Sequence, residues 1–303
     1  MTAPVFVLTA DTLEPAGVAA TAQAGTSLVL TGAEARHAVT VRRLRRGERV
    51  DLVDGEGLRL VCEVTEAGAD GAKDRLGVRV SERVEEPAPP VRLTLVQALA
   101  KGGRDEQAVE TATEVGVDLV LPWQAGRCVS VWNGPKAAKG RARWETTARE
   151  AAKQARRARV PVVDEARSTA QLCTWVRDTV GAGGVVLVLH EEATAPVGGV
   201  SLPTAAGYTG QAAETVGGGA GGAGHGHLGQ ADGGAQAGAD ATSAPAPVVA
   251  VVVGPEGGIS SEETAALEAV GATTVRLGPH VMRTASAGPV ALAVIAQRAG
   301  LWR

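Results

Sequence analysis

Two runs in the C-terminal half of the chain, Val185-Val186-Leu187-Val188-Leu189 and Val248-Val249-Ala250-Val251-Val252-Val253, are aliphatic at every position. A strand with one wet face alternates apolar and polar residues, whereas a strand apolar throughout must be covered on both faces. Central strands of a parallel sheet flanked by helices meet that requirement. The surrounding sequence from Val91 onward supplies the helices. Residues 91–97 and 119–123 read as further strands. A helix is predicted over 104–115, with Ala108, Val109, Ala112 and Val115 on one face and Gly116 as its stop. A second helix is expected over 144–157, with Ala148, Ala151, Ala152 and Ala155 inward. A third runs over 261–270, where Ser260 and Glu263 have the spacing of a capping box and Gly271 ends the helix. A last strand at 274–277 and a last helix at 284–299 complete an alternation that defines an α/β domain.

Residues 4–84 have a different pattern. Short strands are predicted at 5–8, 27–30, 49–53, 58–64 and 76–84, with a turn at Asp54-Gly55 and one helix over 35–44, which suggests a small β-barrel. Glu85-Glu86-Pro87-Ala88-Pro89-Pro90 then reads as a linker, dividing the chain into 1–84, 85–90 and 91–303. Residues 198–247 interrupt the α/β pattern with Gly and Ala and few large apolar side chains. They are expected to form a disordered insertion between two central strands.

The net charge of −3 does not point to nucleic acid, but its distribution does. Arg36, His37, Arg42, Arg43, Arg45, Arg46 and Arg49 face only Glu48. Residues 136–159 gather Lys136, Lys139, Arg141, Arg143, Arg149, Lys153, Arg156, Arg157 and Arg159 against Glu145 and Glu150. Two local clusters of this kind suit a phosphate-binding surface or, equally, two solvated helix faces. Aromatic residues make up 2% of the chain, too few for a sheet that stacks bases on several rings. The first fourteen residues lack a basic signal region and no apolar run has membrane-spanning length, so a cytoplasmic protein with no membrane association is expected. Cys62, Cys128 and Cys173 are scattered and form no CxxC pair, which leaves them as small buried residues. Gly219, Gly221 and Gly224 spell GxGxxG without a preceding strand, and His225 and His227 lack a third ligand. Neither a dinucleotide fingerprint nor a metal site is therefore read there.

The chemistry is carried by two loops that follow predicted strands, Gly254-Pro255-Glu256-Gly257-Gly258 and Leu277-Gly278-Pro279-His280-Val281-Met282-Arg283-Thr284. Both lie at carboxyl ends of strands, where open α/β sheets bind ligands, and their glycines allow close approach of backbone to a planar ligand. With these two loops the sequence resembles the ribosomal RNA small subunit methyltransferase E family, of the SPOUT class. The resemblance extends through Gln97–Gly102, Glu114–Val117, Arg127-Cys128, Glu150–Ala155 and Val160-Pro161. In the N-terminal part it includes His37, Val41–Arg45 and Asp54-Gly55.

The resemblance implies a trefoil-knot methyltransferase domain behind a PUA-like barrel. S-adenosyl-L-methionine would lie in a pocket of Leu189, His190, Glu191, Gly254, Pro255, Glu256, Gly257, Gly258, Leu277, Gly278, Val281, Met282 and Arg283. It further implies a homodimer with its active site close to the subunit interface, and methylation of ring nitrogen 3 of a uridine in 16S ribosomal RNA of the small subunit. RNA would be held by Arg42, Arg43, Arg45, Arg46, Lys153, Arg156, Arg157 and Arg159. Two departures stand out. Ala285 occupies the place of a frequent acidic residue and His280 that of a frequent arginine.

Uracil nitrogen 3 is protonated and neutral at pH 7, so the enzyme must let that proton leave and stabilise charge on two carbonyl oxygens. A guanidinium suits the second task, and Arg283 is the candidate, with a structural contact closing the knot as its other reading. Glu256 is a candidate base, or else a residue that fixes backbone or cofactor. Two rival functions are ribose 2′-O-methylation by another SPOUT enzyme and RNA binding without catalysis in ribosome assembly.

The insertion generates a first prediction. Replacing residues 207–241 with a short Gly/Ser linker should leave S-adenosylmethionine affinity intact. The thermal midpoint should barely move, because halving a flexible loop changes closure entropy by only about 0.6 kcal/mol. A large fall in the midpoint would mean that the segment is packed.

Overall fold

The change of pattern near residue 90 is a change of sheet in the computed structural model, which describes residues 3–68, 72–205 and 245–302. Strands β1 (Val5–Val7), β2 (Leu13–Glu14), β3 (Ser27–Thr31), β4 (Arg49–Val53), β5 (Leu58–Ala67) and β6 (Arg75–Glu85) form a six-stranded sheet in the order β1-β4-β5-β6-β3-β2. Only β1 and β4 pair in parallel. Alternation is clear in β6, where Leu76, Val78 and Val80 are buried while Arg79 and Ser81 are exposed. Register shifts between β5 and β6 at Val61/Cys62 and Val64/Glu66 add local bend and twist to these two long strands. The turn at Asp54 is built by its carboxylate, whose Oδ1 accepts the N–H groups of Glu56, Gly57 and Leu58 at 2.7, 3.0 and 3.0 Å.

The helix expected over 35–44 is instead a single turn of α-helix, α1 (Gly32–Arg36), followed by a π-helical turn at His37–Val41. The β-branched Val39, Thr40 and Val41 crowd an α-helical register, and the Thr40 hydroxyl donates to the Arg36 carbonyl at 2.7 Å.

The second sheet contains β7 (Arg92–Ala98), β8 (Leu119–Gln124), β9 (Val162–Val163), β10 (Arg167–Ser168), β11 (Val185–Leu189), β12 (Val248–Val253) and β13 (Thr273–Val275). Its order is β10-β8-β7-β12-β11-β13, with β9 also on β8, and every pair is parallel. Helices α2 (Arg104–Val115), α3 (Pro135–Gln154), α4 (Thr169–Gly181), α5 (Ser261–Ala269) and α6 (Thr284–Arg298) cover both faces. Val249, Val251 and Val253 pack with Ala108, Trp144 and Leu292 on one side. Ala250 and Val252 pack with Leu172, Val176 and Leu267 on the other. The two aliphatic runs are thus the covered central strands that their composition requires.

Three sequence expectations change. Helix α3 begins nine residues before position 144, with Pro135 in its first turn, where a missing N–H costs nothing. Helix α4 was not anticipated, because only Leu172 and Val176 are buried along it and its apolar stripe is thin. The insertion starts later than residue 198. Arg298 donates to the carbonyls of Val197 and Val200 at 3.0 and 2.7 Å, and Ala205 N–H donates to the Ala299 carbonyl at 2.9 Å, so this stretch is pinned to α6. The central part of the expected insertion, with the GxGxxG letters and His225 and His227, lies outside the described residues.

The two sheets meet through charge. Lys153 Nζ lies 2.9 Å from Glu34 Oε1 and 3.1 Å from Glu150 Oε1, with only 4% of its side chain exposed. Arg59 bonds Glu86 at 2.7 Å and donates to the Arg156 carbonyl at 2.8 Å, while Arg159 donates to the Glu86 carbonyl at 2.7 Å. Arg157 donates to the carbonyls of Thr113 and Val117 at 2.8 and 2.7 Å. Lys153, Arg157 and Arg159, expected from sequence to hold RNA, thus each have protein partners in this structure. Lys153→Met keeps the stem but strips Glu34 of its donor, and should cost about 1–3 kcal/mol in denaturant unfolding. An unchanged midpoint would show that the buried pair contributes nothing.

Candidate active site

The carboxyl ends of β12, β11 and β13, adjacent in the sheet, bring together the three segments that the sequence singles out. Beyond β12, Pro255 is buried and anchors a loop whose Glu256, Gly257 and Gly258 reach the surface. A Cβ on Gly254 would lie 2.6 Å from Ile259 Cγ1, so the loop can turn back on itself only with glycine there. Beyond β13, Leu277 and Gly278 are half-buried, and His280, Val281, Met282 and Arg283 are exposed. Val281, at 77% exposure, and Met282 offer apolar side chains beside the glycine loop, and the space over Gly278 is open. Beyond β11, His190 N–H donates to the Val275 carbonyl at 3.0 Å and its Nδ1 accepts from Glu192 N–H at 3.2 Å, while Glu191 points outward. The three loop ends therefore present exposed backbone and flexible apolar side chains at one end of the sheet, which suits a ligand with a planar ring.

Glu256, the candidate base, is ion-paired at the edge of the first loop. Its Oε1 lies 2.7 Å from the Arg104 guanidinium and 3.3 Å from the Lys101 N–H. Burial pushes its pKa up, but its own backbone amide, Arg104 and Lys101 outweigh this and hold it below the usual carboxylate range. Arg283 precedes α6 with extended backbone at φ −65° and ψ 149°. Its carbonyl accepts from the N–H groups of Ser286 and Ala287, and its guanidinium has no partner among the described residues. Burial raises the Cys62 thiol to about 12 and the Cys128 thiol to about 11, so neither supplies a nucleophile near neutrality.

Sequence reading missed the groups that brace the glycine loop. Arg127 donates to the Gly257 carbonyl at 3.1 Å, and its Cβ would be 3.2 Å from a Cβ on Gly257. Glu263 caps α5 as expected, but its Oε1 also accepts from Gly126 N–H and the Thr169 hydroxyl, both at 2.8 Å. The capping box was legible from local spacing, whereas partners more than ninety positions away leave no local signal. Arg42, Arg43, Arg45 and Arg46 are exposed on the N-terminal domain, with no side-chain partner among the described residues. Arg45 and Arg46 edge an open cleft with Thr65 and Glu66. Arg156 is exposed as well, and Ala285 is buried at the start of α6.

The comparisons agree with this architecture. Residues 87–221 and 229–296 match the family model of an RNA methyltransferase domain, and residues 30–73 that of an RNA methyltransferase PUA domain. The solved structure of a ribosomal RNA small subunit methyltransferase E from Neisseria gonorrhoeae, bound to S-adenosyl methionine, superposes with a TM-score of 0.69. The identity is 22%, over 99% of this chain and 98% of that one. Fold and domain content together define an RNA methyltransferase domain carrying a PUA domain. A Mycobacterium bovis protein named Ribosomal RNA small subunit methyltransferase E is 41% identical over 92% of this chain and 89% of its own length. A Bacillus subtilis protein of the same name is 28% identical over 90% and 91%. The chain belongs to the ribosomal RNA small subunit methyltransferase E family.

The lowered Glu256 pKa fixes the sign of a pH effect. A carboxylate depressed in the folded loop keeps its pairing above its unfolded pKa and loses it as pH falls through the folded value. Ligand affinity of the crevice should therefore be flat through neutral pH and decline only below the ordinary carboxylate range. Arg104→Ala should move that decline upward in pH. Identical profiles for parent and variant would separate Glu256 from the loop's function.

Proposed function

We propose that this chain transfers the methyl group of S-adenosyl-L-methionine to ring nitrogen 3 of one uridine in 16S ribosomal RNA of the small subunit. The single observation that carries the reading is that two glycine loops leave the carboxyl ends of β12 and β13, the parallel strands that flank β11, in a chain 41% identical to a named family member. The proposed cofactor contacts are Leu189 to Glu191, Gly254 to Gly258, Leu277, Gly278 and Val281 to Arg283. Residues 1–84 would grip RNA and 91–303 would house the reaction, with 85–90 between them.

The cofactor, when bound, supplies an electrophilic methyl on a sulfonium. Nitrogen 3 donates its electron pair to that methyl, the sulfur–carbon bond breaks to leave a thioether, and the nitrogen's proton passes to solvent. As the N–H weakens, negative charge spreads to the two uracil carbonyl oxygens. Arg283, a cation of the second loop without a side-chain partner among the described residues, would stabilise that charge. Orientation of the two bound reactants supplies the rest, up to about 7–11 kcal/mol when ideal. Arg42, Arg43, Arg45, Arg46 and Arg156 are the free surface cations for the RNA backbone. The enzyme would work in the cytoplasm as a homodimer, with the partner subunit close to the cleft.

Mass spectrometry of 16S rRNA nucleosides tests this. Deleting the gene should remove 3-methyluridine, and purified enzyme with S-adenosylmethionine should restore it on small subunits. Persistence of 3-methyluridine in the deletion strain would reject the base assignment, and appearance of a ribose-methylated nucleoside instead would favour 2′-O chemistry.

A further inference from the structure

We propose that Gln97 and Thr284 are positioning residues, a buried hydrogen-bond relay that holds the two glycine loops of the cofactor crevice in register. Gln97 sits near the carboxyl end of β7, opposite Val253 of β12, and is fully buried. Its Nε2 donates to the Ala98 carbonyl at 3.1 Å and to the Thr284 Oγ1 at 2.8 Å. Thr284 Oγ1 donates in turn to the Gly254 carbonyl at 2.8 Å. Carbonyls can only accept, so the amide must turn its N–H₂ toward Ala98, and the hydroxyl must receive from Gln97 while giving its one proton to Gly254.

The relay joins places that the chain does not. Gly254 opens the first loop directly after β12. Thr284 closes the second, thirty residues on, after the chain has travelled to β13 at the sheet edge and back. Gly288 brings α6 close to the sheet, since a Cβ there would lie 2.6 Å from Leu95 Cδ1 and 3.2 Å from Val253 Cγ2. Packing thus sets the distance between helix and sheet, and the hydroxyl sets how the start of the helix meets the end of β12. Gln97 Oε1 is buried without a partner. An apolar residue of that volume would avoid the unsatisfied oxygen, so the amide's paired contribution is its N–H on Thr284 and Ala98.

The inference rests on the assignment of these loops to S-adenosylmethionine, and the test separates the two. Full-length Thr284→Val removes the hydroxyl at nearly constant volume. By calorimetry its dissociation constant for S-adenosylmethionine should rise about tenfold or more, because the first loop is no longer held in register with the second. Affinity for small subunits should stay near that of the parent, the thermal midpoint should fall modestly because a buried carbonyl loses its donor, and Thr284→Ser should recover the cofactor affinity. Gln97→Leu should weaken cofactor binding in the same direction. Joined to Thr284→Val it should add nothing further, because both act through one chain of bonds. Unchanged affinity in Thr284→Val, no recovery in Thr284→Ser, or additive losses would overturn the relay. If Thr284→Val does not fold, Gln97→Leu decides alone: reduced cofactor affinity at unchanged midpoint supports the relay, and parental affinity rejects it. Gly257→Val is the control. Normal cofactor binding there rejects the pocket assignment itself, whereas loss there with normal binding in Thr284→Val rejects only the relay.

Discussion

Strand β12 lies between β7 and β11 with both faces dry, and the geometry of the crevice depends on that burial. Each fully buried valine contributes on the order of 1.5–3 kcal/mol of transfer free energy, so the strand is held firmly in the sheet. Two-sided burial is less exacting about register, however. In a strand apolar on both faces, a one-residue slip exposes no polar group and hides none. Register must come from elsewhere. Backbone pairing along all six residues of β12 to β7 supplies part of it. The close seat of Gly288 on Leu95 and Val253 supplies another part, since a shifted β12 would present a different side chain there. Because Gly254 is the next residue, whatever fixes the register of β12 also fixes where the first glycine loop leaves the sheet.

How much was legible in the sequence follows from the range of the interactions. The central strands, the α2 helix with its Gly116 stop and the Ser260–Glu263 capping box are written in local patterns, and the structure has them. Gly116 adopts φ +115°, a conformation in which a side chain would be strained. The π-helical turn after α1 is a contest between β-branched crowding and helix continuation that periodicity cannot resolve. The glycine loops were found from composition and order. Their braces, Arg127 on Gly257 and Glu263 on Gly126, were not, because each is one side chain meeting backbone from a distant segment.

The second basic cluster shows the same limit in charge. A lysine in a helix that also carries exposed arginines reads as one more surface cation. Yet Lys153 is on the face that meets the N-terminal domain, where Glu34 and Glu150 neutralise it. Val5, Val7, Val53 and Ala158 form a small apolar patch at the same boundary, so the ion pairs sit beside dry contact rather than in open water. Low local dielectric strengthens the attraction and also makes each charge dependent on its partner. The cluster therefore fixes how the N-terminal domain is carried.

A division of labour among the cations around the crevice follows from their partners. Arg104 is balanced by Glu256 and Arg127 is held on the Gly257 carbonyl, so each is tied to a specific position on the first loop. The proposed cofactor is itself a cation at sulfur, and a crevice edged by unpaired guanidiniums would repel it. Pairing Arg104 with a carboxylate keeps its contact with the loop while cancelling most of its field at a distance. Arg283 differs in having no such counterion among the described residues, so its field is not cancelled. In the proposed complex that charge would oppose the sulfonium in the ground state. In the proposed reaction it would become favourable as loss of the nitrogen 3 proton places negative charge on the uracil oxygens. An interaction that improves along the reaction coordinate accelerates the chemical step, whereas one that binds substrate and transition state equally does not.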